Sequence, residues 1–187
     1  MTEVCTCTSE ELLARARAGD GPAFAGLVRT HQRLVYSLAL RMLAQREAAE
    51  DLAQEVFLQL HRKLAAIESP VHLAFWLRKV TANRAIDRLR REAPLAAAPV
   101  EEAVSLAAPG EDDPLLEREM RRQLLELNPS ARAVVVLRYQ EDLDPAEIAQ
   151  ALDMPVNTVK SHLKRSLATL RRNMGASLDD CPEEVAG

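Results

Sequence analysis

Only six aromatic side chains, six glycines and three cysteines occur in 187 residues. So few aromatics and glycines argue against a β-sandwich, whose strands draw on aromatic and β-branched residues and whose turns are Gly-rich. Cys5, Cys7 and Cys181 all lie in terminal segments. An odd number of thiols outside any apparent core is not a disulfide framework. Cys5-Thr6-Cys7 has no nearby His and is a weak metal or redox candidate, read here as reduced thiols in a frayed terminus. No apolar run reaches the roughly 18 residues that span a bilayer, and Met1-Thr-Glu-Val-Cys lacks the basic start and apolar core of a signal peptide. A cytoplasmic protein with no membrane contact of its own is expected. The four histidines are scattered and no Ser or Cys nucleophile has a recognisable companion, so no enzymatic activity is expected.

What is abundant is Ala, Leu, Arg and Glu, the good helix formers. An all-α protein follows. Thr8-Ser-Glu-Glu11 has capping-box spacing and opens a short helix to about Ala18. After Gly19-Asp20-Gly21-Pro22, Phe24, Leu27, Val28, Leu34, Val35, Leu38 and Met42 recur at helical spacing and need partners. A third helix, from Glu47 to about Ile67, has an apolar face of Ala49, Leu52, Ala53, Val56, Leu60 and Leu64. Glu68-Ser69-Pro70-Val71 breaks it, and a fourth helix runs from His72 to Arg91. Four amphipathic helices in about 90 residues predict one bundle.

Charge must be counted by segment. The formal net charge is −4, but residues 1–91 carry +4, 92–114 carry −6, 115–175 carry +2 and 176–187 carry −4. Residues 92–114 hold four prolines and six acids without a base, which reads as a flexible acidic linker. The expected organisation is a flexible N-terminus (1–8), a helical domain (9–91), the linker (92–114), a second helical domain (115–175) and an acidic tail (176–187).

In the second domain a helix from near Leu115 to Leu127 is followed by Asn128-Pro129, a cap and a proline at the first helical position, opening a helix to about Tyr139. Asp144-Pro145 starts a short helix to Leu152, and a basic helix runs from about Val156 to Asn173. Short helix, turn and basic helix form a helix-turn-helix pattern. Ile148, Ala149, Leu152, Val159 and Leu163 lock the pair. Asn157, Thr158, Lys160, Ser161, Lys164 and Arg165 project outward, and residues 156–172 hold five bases and no acid. Amides and guanidiniums read base edges in a major groove while hydroxyls and ammonium groups hold phosphates. A solvated face on an ordinary helix pair is the weaker alternative.

The first domain is less legible. Residues 78–91 carry six bases and one acid, a pattern shared by phosphate-tracking helices and by ordinary solvated ones. Glu47, Asp51 and Glu55 at i, i+4 and i+8 form a carboxylate stripe. Metal sites in helical bundles pair such carboxylates with Glu-x-x-His, and His31 and His61 lack that spacing, so a solvated or partner-binding stripe is favoured. Trp76 reads as core packing ahead of base stacking.

Asp51-Leu-Ala-Gln-Glu-Val-Phe57, then Phe75-Trp-Leu-Arg-Lys-Val-Thr-Ala-Asn83 with Asp87 and Arg88, and lastly the Asn128-Pro129 start with its helix-turn-helix, resemble the extracytoplasmic-function sigma factors of the sigma-70 family. The resemblance covers about residues 10–91 and 115–173. It implies a four-helix domain two and a helix-turn-helix domain four, with no cofactor. Asp51, Gln54, Glu55, Phe57 and Leu58 would dock on the β′ clamp helices of bacterial RNA polymerase, and the β flap would be a further contact. The loop Ile67–His72 and the helix from Trp76 to Arg91 would capture a flipped minus-ten base and separate the strands. Ser69, His72, Trp76, Arg78, Lys79, Asn83, Arg84, Asp87, Arg88 and Arg91 are its expected DNA contacts, with Arg90 adding a phosphate contact. Asn157, Thr158, Lys160, Ser161, Lys164 and Arg165 would read the minus-35 element of promoter DNA. The linker would act as a plain tether or thread towards the RNA channel, and an anti-sigma factor is an expected partner. The alternative function is a free-standing helix-turn-helix regulator whose N-terminal bundle senses a signal or dimerises. A helical metalloenzyme built on Glu47, Asp51 and Glu55 ranks well below both.

Overall fold

The computed structural model describes residues 8–92 and 114–179, with side chains placed over 8–91 and 119–173. Cys5, Cys7, Cys181 and most of the expected linker and tail lie outside the described residues. Every described element is helical and the chain divides into two compact units, residues 1–96 and 97–187.

The first unit contains α1 (Ser9–Arg17), α2 (Gly21–Leu43), α3 (Arg46–Lys63), a 3-10 turn (Leu64–Ala66) and α4 (Pro70–Glu92). Thr8 and Glu11 form the expected capping box, Thr8 Oγ1 accepting from Glu11 N–H and Glu11 Oε2 from Thr8 N–H. Asp20 caps α2 by accepting from Ala23 N–H at 3.0 Å, and its second oxygen takes Arg15 Nε at 2.8 Å. The Ala23 amide and then the Arg15 guanidinium hold this carboxyl below its usual range. One short side chain thus fixes the angle between α1 and α2.

α2 packs against α1, α3 and α4. Its Val35, Leu38, Ala39 and Met42 are wholly buried with Leu60 of α3 and with Leu73 and Leu77 of α4. Phe24 meets His61 edge to face, centroids 5.0 Å apart. The outward positions of α3 and α4 are therefore left to solvent and partners. α4 begins at Pro70, two residues before the expected start: Ser69 Oγ accepts from His72 N–H at 3.1 Å, and proline occupies a position where no N–H is needed. The expected Ile67–His72 loop is correspondingly shorter, with Pro70, Val71 and His72 in the first helical turn.

The second unit contains α5 (Pro114–Glu126), α6 (Pro129–Tyr139), α7 (Pro145–Leu152) and α8 (Val156–Asp179). α8 packs against all three others and runs past the expected end at Asn173. Leu124, Val135 and Leu170 form a buried cluster with Met120 and Leu127 against it. Asn128 caps α6, and Asp144 with Glu147 forms a capping box on α7. Asp153, in the left-handed region at φ 51°, ends α7 and turns the chain into α8.

Arg132 is buried in α6 and donates to three carbonyls at the C-terminal end of α5: Leu124 at 3.0 Å, Leu125 at 2.6 Å and Leu127 at 3.3 Å. Burial pushes its guanidinium down to about 10, so it stays charged at neutral pH, where it donates to carbonyls at the negative end of the helix dipole. Arg132→Met removes the guanidinium donor from the Leu125 and Leu127 carbonyls, the Leu124 carbonyl keeping Leu127 N–H at 3.2 Å, and is expected to destabilise the second unit by about 1–3 kcal/mol. The measurement is chemical denaturation, with Arg132→Lys recovering part of the loss because it keeps the charge but not the fork.

Candidate nucleic-acid and protein interfaces

On α3, Asp51, Gln54, Glu55 and Leu58 are exposed and Phe57 is half-buried. Leu58 is 61% exposed beside these carboxylates. The helix spends Leu52, Val56 and Leu60 on the core, so the positions between them face outward.

α4 flanks this stripe. A groove of about 630 Å³ runs between the two helices, lined by Leu52, Glu55 and Gln59 of α3 and by Lys79, Val80, Asn83, Arg84, Asp87, Arg88 and Arg91 of α4. Six of the ten expected minus-ten residues thus share a groove with Glu55, an expected polymerase contact. The two sets also bond directly. Arg84 Nη1 donates to Glu55 Oε2 and its Nε donates to Gln59 Oε1 at 2.8 Å. Arg88 Nη1 donates to the Ala48 carbonyl at 3.3 Å, and its Nη2 lies 3.9 Å from Asp51. Pairing of 51 with 88 and 55 with 84 sets α3 and α4 antiparallel. Asn83 donates to the Lys79 carbonyl and Arg91 to the Asp87 carbonyl, which hold both side chains along α4.

The other four expected minus-ten residues lie off the groove lining. Ser69 and His72 form the α4 cap, where His72 Nδ1 accepts from Glu68 N–H at 3.3 Å. Trp76 and Arg78 are half-buried, as is His31, which the Arg78 charge affects. Val71, inside the expected Ile67–His72 loop but not singled out there, is 81% exposed in the first turn of α4. Sequence reasoning missed Gln59, whose role depends on a partner 25 residues away. Among the described residues no group of three or more His, Cys, Asp or Glu is arranged to hold a metal ion.

In the second unit Ile148, Ala149, Leu152 and Val159 are buried and Leu163 is half-buried, the apolar lock expected of the helix pair. Asn157, Lys160, Ser161, Lys164 and Arg165 are exposed and Thr158 is half-buried. Spacings of three and four residues align 157, 160, 161, 164 and 165 on one face. Arg165 Nε donates to the Ser161 carbonyl at 3.2 Å, which lays the guanidinium along the helix. Among the described residues Lys160 and Lys164 make no ion pair.

Residues 27–94 match the family model described as Sigma-70 region 2, and residues 117–170 match that of Sigma-70, region 4. The chain is 29% identical to the ECF RNA polymerase sigma factor SigW of Bacillus subtilis, covering 87% of this chain and 94% of that one. It is 32% identical to the ECF RNA polymerase sigma factor SigM of Mycobacterium tuberculosis, over 90% of this chain and 85% of that one. Two solved structures share the fold. CnrH in complex with the cytosolic domain of CnrY has a TM-score of 0.64 at 23% identity, covering 88% of this chain and 96% of that one. RpoE in complex with the anti-sigma factor NepR, from Bartonella quintana, has a TM-score of 0.66 at 19% identity, covering 81% and 96%.

Two histidines make stability depend on pH. Burial, and then the Arg78 charge, lowers the pKa of His31; burial, and then Arg165, lowers that of His162. The unfolded chain therefore takes up protons first as pH falls below about 6.5, so stability present above that value is lost on acidification. Thermal midpoints between about pH 7.5 and pH 5.5 are expected to fall less steeply in His31→Gln/His162→Gln than in the wild type.

Proposed function

The chain belongs to the extracytoplasmic-function sigma factors of the sigma-70 family, and from that premise we propose how its surfaces divide the work of directing core RNA polymerase to promoters and starting transcription. α3 is the docking helix, offering Asp51, Gln54, Glu55, Phe57 and Leu58 to the basic clamp helices of β′. The first turn of α4, with Ser69, Val71 and His72, meets the minus-ten element. The groove residues Lys79, Asn83, Arg84, Asp87, Arg88 and Arg91 line the path of the separated strand, with Trp76 and Arg78 behind them. Unstacking a base costs a few kcal/mol, which polymerase contacts help to offset. α8 enters the major groove at the minus-35 element with Asn157, Thr158, Lys160, Ser161, Lys164 and Arg165, and the second unit also contacts the β flap.

The observation that carries this reading is the juxtaposition of an exposed acidic and apolar stripe on α3 with a basic groove along α4. A free-standing regulator would need the α8 face but not that stripe. The boundaries 9–91 and 115–175 serve as the polymerase-and-minus-ten domain and the minus-35 domain, joined through 92–114. Two fold neighbours support a regulatory partner: CnrH is bound to the cytosolic domain of CnrY, and RpoE to an anti-sigma factor. This chain is accordingly assigned an anti-sigma partner that competes for the same faces. Among the described residues no helix is long and apolar enough to cross a membrane, which suits work on polymerase in the cytoplasm. The protein supplies recognition and strand separation, while bond chemistry belongs to the polymerase.

Run-off transcription with core polymerase tests the docking assignment. Asp51→Lys/Glu55→Lys is expected to reduce initiation by more than about tenfold, because it sets cations against a basic partner, while duplex binding through α8 is retained. Equal initiation by this variant and the wild type would refute the assignment. Lys164→Gln is expected to weaken duplex binding on all sequences alike and to lower the slope of log affinity against log salt by about 1. Affinities measured over a salt series check both effects.

A further inference from the structure

Two of the three groove arginines, Arg84 and Arg88, each have two kinds of tether. Arg84 has a neutral one, the Gln59 side-chain oxygen on Nε, and an anionic one, Glu55 on Nη1. Arg88 has the Ala48 carbonyl and, at 3.9 Å, the Asp51 carboxylate. The anionic tethers are also the charges assigned above to docking. Glu55 and Asp51 are 53% and 65% exposed in their side chains, so a second cation can reach them; Arg84 is 39% exposed, so a phosphate can reach it.

We propose that the Glu55–Arg84 pair, assisted by Asp51–Arg88, is an electrostatic handover that couples partner docking on α3 to DNA binding on α4. The proposal rests on the docking and minus-ten assignments above. In the free chain Glu55 offsets the Arg84 charge towards phosphate. When a cationic partner surface engages Glu55, that offset is removed and Arg84 presents its full charge to the strand. The guanidinium does not swing away, because Gln59 still holds Nε, and the Ala48 carbonyl does the same for Arg88. No conformational change is required; a neutral anchor fixes the position while the anionic one changes partner. Such coupling is reciprocal, so DNA on Arg84 frees Glu55 for the partner to the same degree. Half-exposed pairs have modest energies, which sets the expected effect at about two- to fivefold for Glu55–Arg84. The longer Asp51–Arg88 contact contributes less.

The test is a double-mutant cycle on the full chain: wild type, Glu55→Gln, Arg84→Gln and the double variant. Two affinities are measured at one fixed salt concentration. One is for a short single-stranded oligonucleotide of mixed sequence without polymerase, and the other is for core polymerase without DNA. Glu55→Gln is expected to bind the oligonucleotide about two- to fivefold more tightly than wild type, and that gain disappears in the Arg84→Gln background. Arg84→Gln is expected to bind core polymerase more tightly by a similar factor, and that gain disappears in the Glu55→Gln background. A Glu55→Gln variant that binds the oligonucleotide more weakly would overturn the proposal, since Glu55 would then position Arg84 instead of offsetting it. A gain in core affinity that persists without Glu55 would also overturn it, as general repulsion between cations. Core affinity of Asp51→Lys/Glu55→Lys separates the two levels: unchanged affinity refutes the docking assignment itself, whereas reduced affinity with no coupling in the cycle refutes the handover alone.

Discussion

Burial of α2 is the constraint from which the first unit follows. Val35, Leu38, Ala39 and Met42 leave no surface to water, and α1, α3 and α4 each supply part of the cover. At about 25 cal/mol per Å² of apolar surface removed from water, this burial outweighs anything the half-exposed ion pairs contribute. α3 and α4 must therefore turn Leu52, Val56, Leu60, Leu73 and Leu77 inward, and their intervening positions necessarily flank one another on the outside. The groove is the furrow left where two helices lean on a third. Its charges tie α3 to α4 at the surface but are secondary to the buried apolar contacts.

Those charges also show why the sequence tally misleads at two scales. The whole chain is acidic although both helical segments are basic. Within the first segment, the six bases of 78–91 overstate the positive field, because Arg84 and Arg88 face carboxylates from another helix. Arg132 is a different case. It is buried and meets carbonyl dipoles instead of a carboxylate, so its contribution is to donate to the acceptors at a helix end. Equal formal charges thus do two jobs, set by exposure and by what each one faces.

Features legible in the sequence were those whose physics is local. The caps at Thr8, Asp20, Asn128 and Asp144 depend on side chains reaching amides two or three residues away, and the apolar lock of α7 on α8 follows from helical period. The start of α4 was equally local but misread: Ser69-Pro70 looked like a break, whereas serine followed by proline is also how a helix begins. Long-range partners could not be read. Glu55 and Arg84 are 29 residues apart, and nothing in either segment says that the two helices run antiparallel in that register. Arg132 lies in an apolar run, Ala131 to Leu137, where period alone gives no reason for a base. The family motifs name residues on α3 and on α4 as two separate sets, and the fold brings Glu55 of the first set and six residues of the second to one groove.

The two helices proposed to face DNA consequently differ in electrostatic state before any partner arrives. On α8 there is no acid from 156 to 172, and among the described residues Lys160 and Lys164 have no carboxylate against them. On α4, two of the strongest bases are already opposed from α3. A phosphate near Arg84 feels Glu55 as well, within the Debye length of about 8–10 Å at physiological salt, whereas Lys164 has no ion-pair partner among the described residues. The free chain should therefore favour duplex phosphate contacts through α8 over strand contacts through α4. Under the proposed assignments that order suits promoter recognition, because α8 would meet intact duplex while the α4 contacts would acquire their full charge only alongside the polymerase.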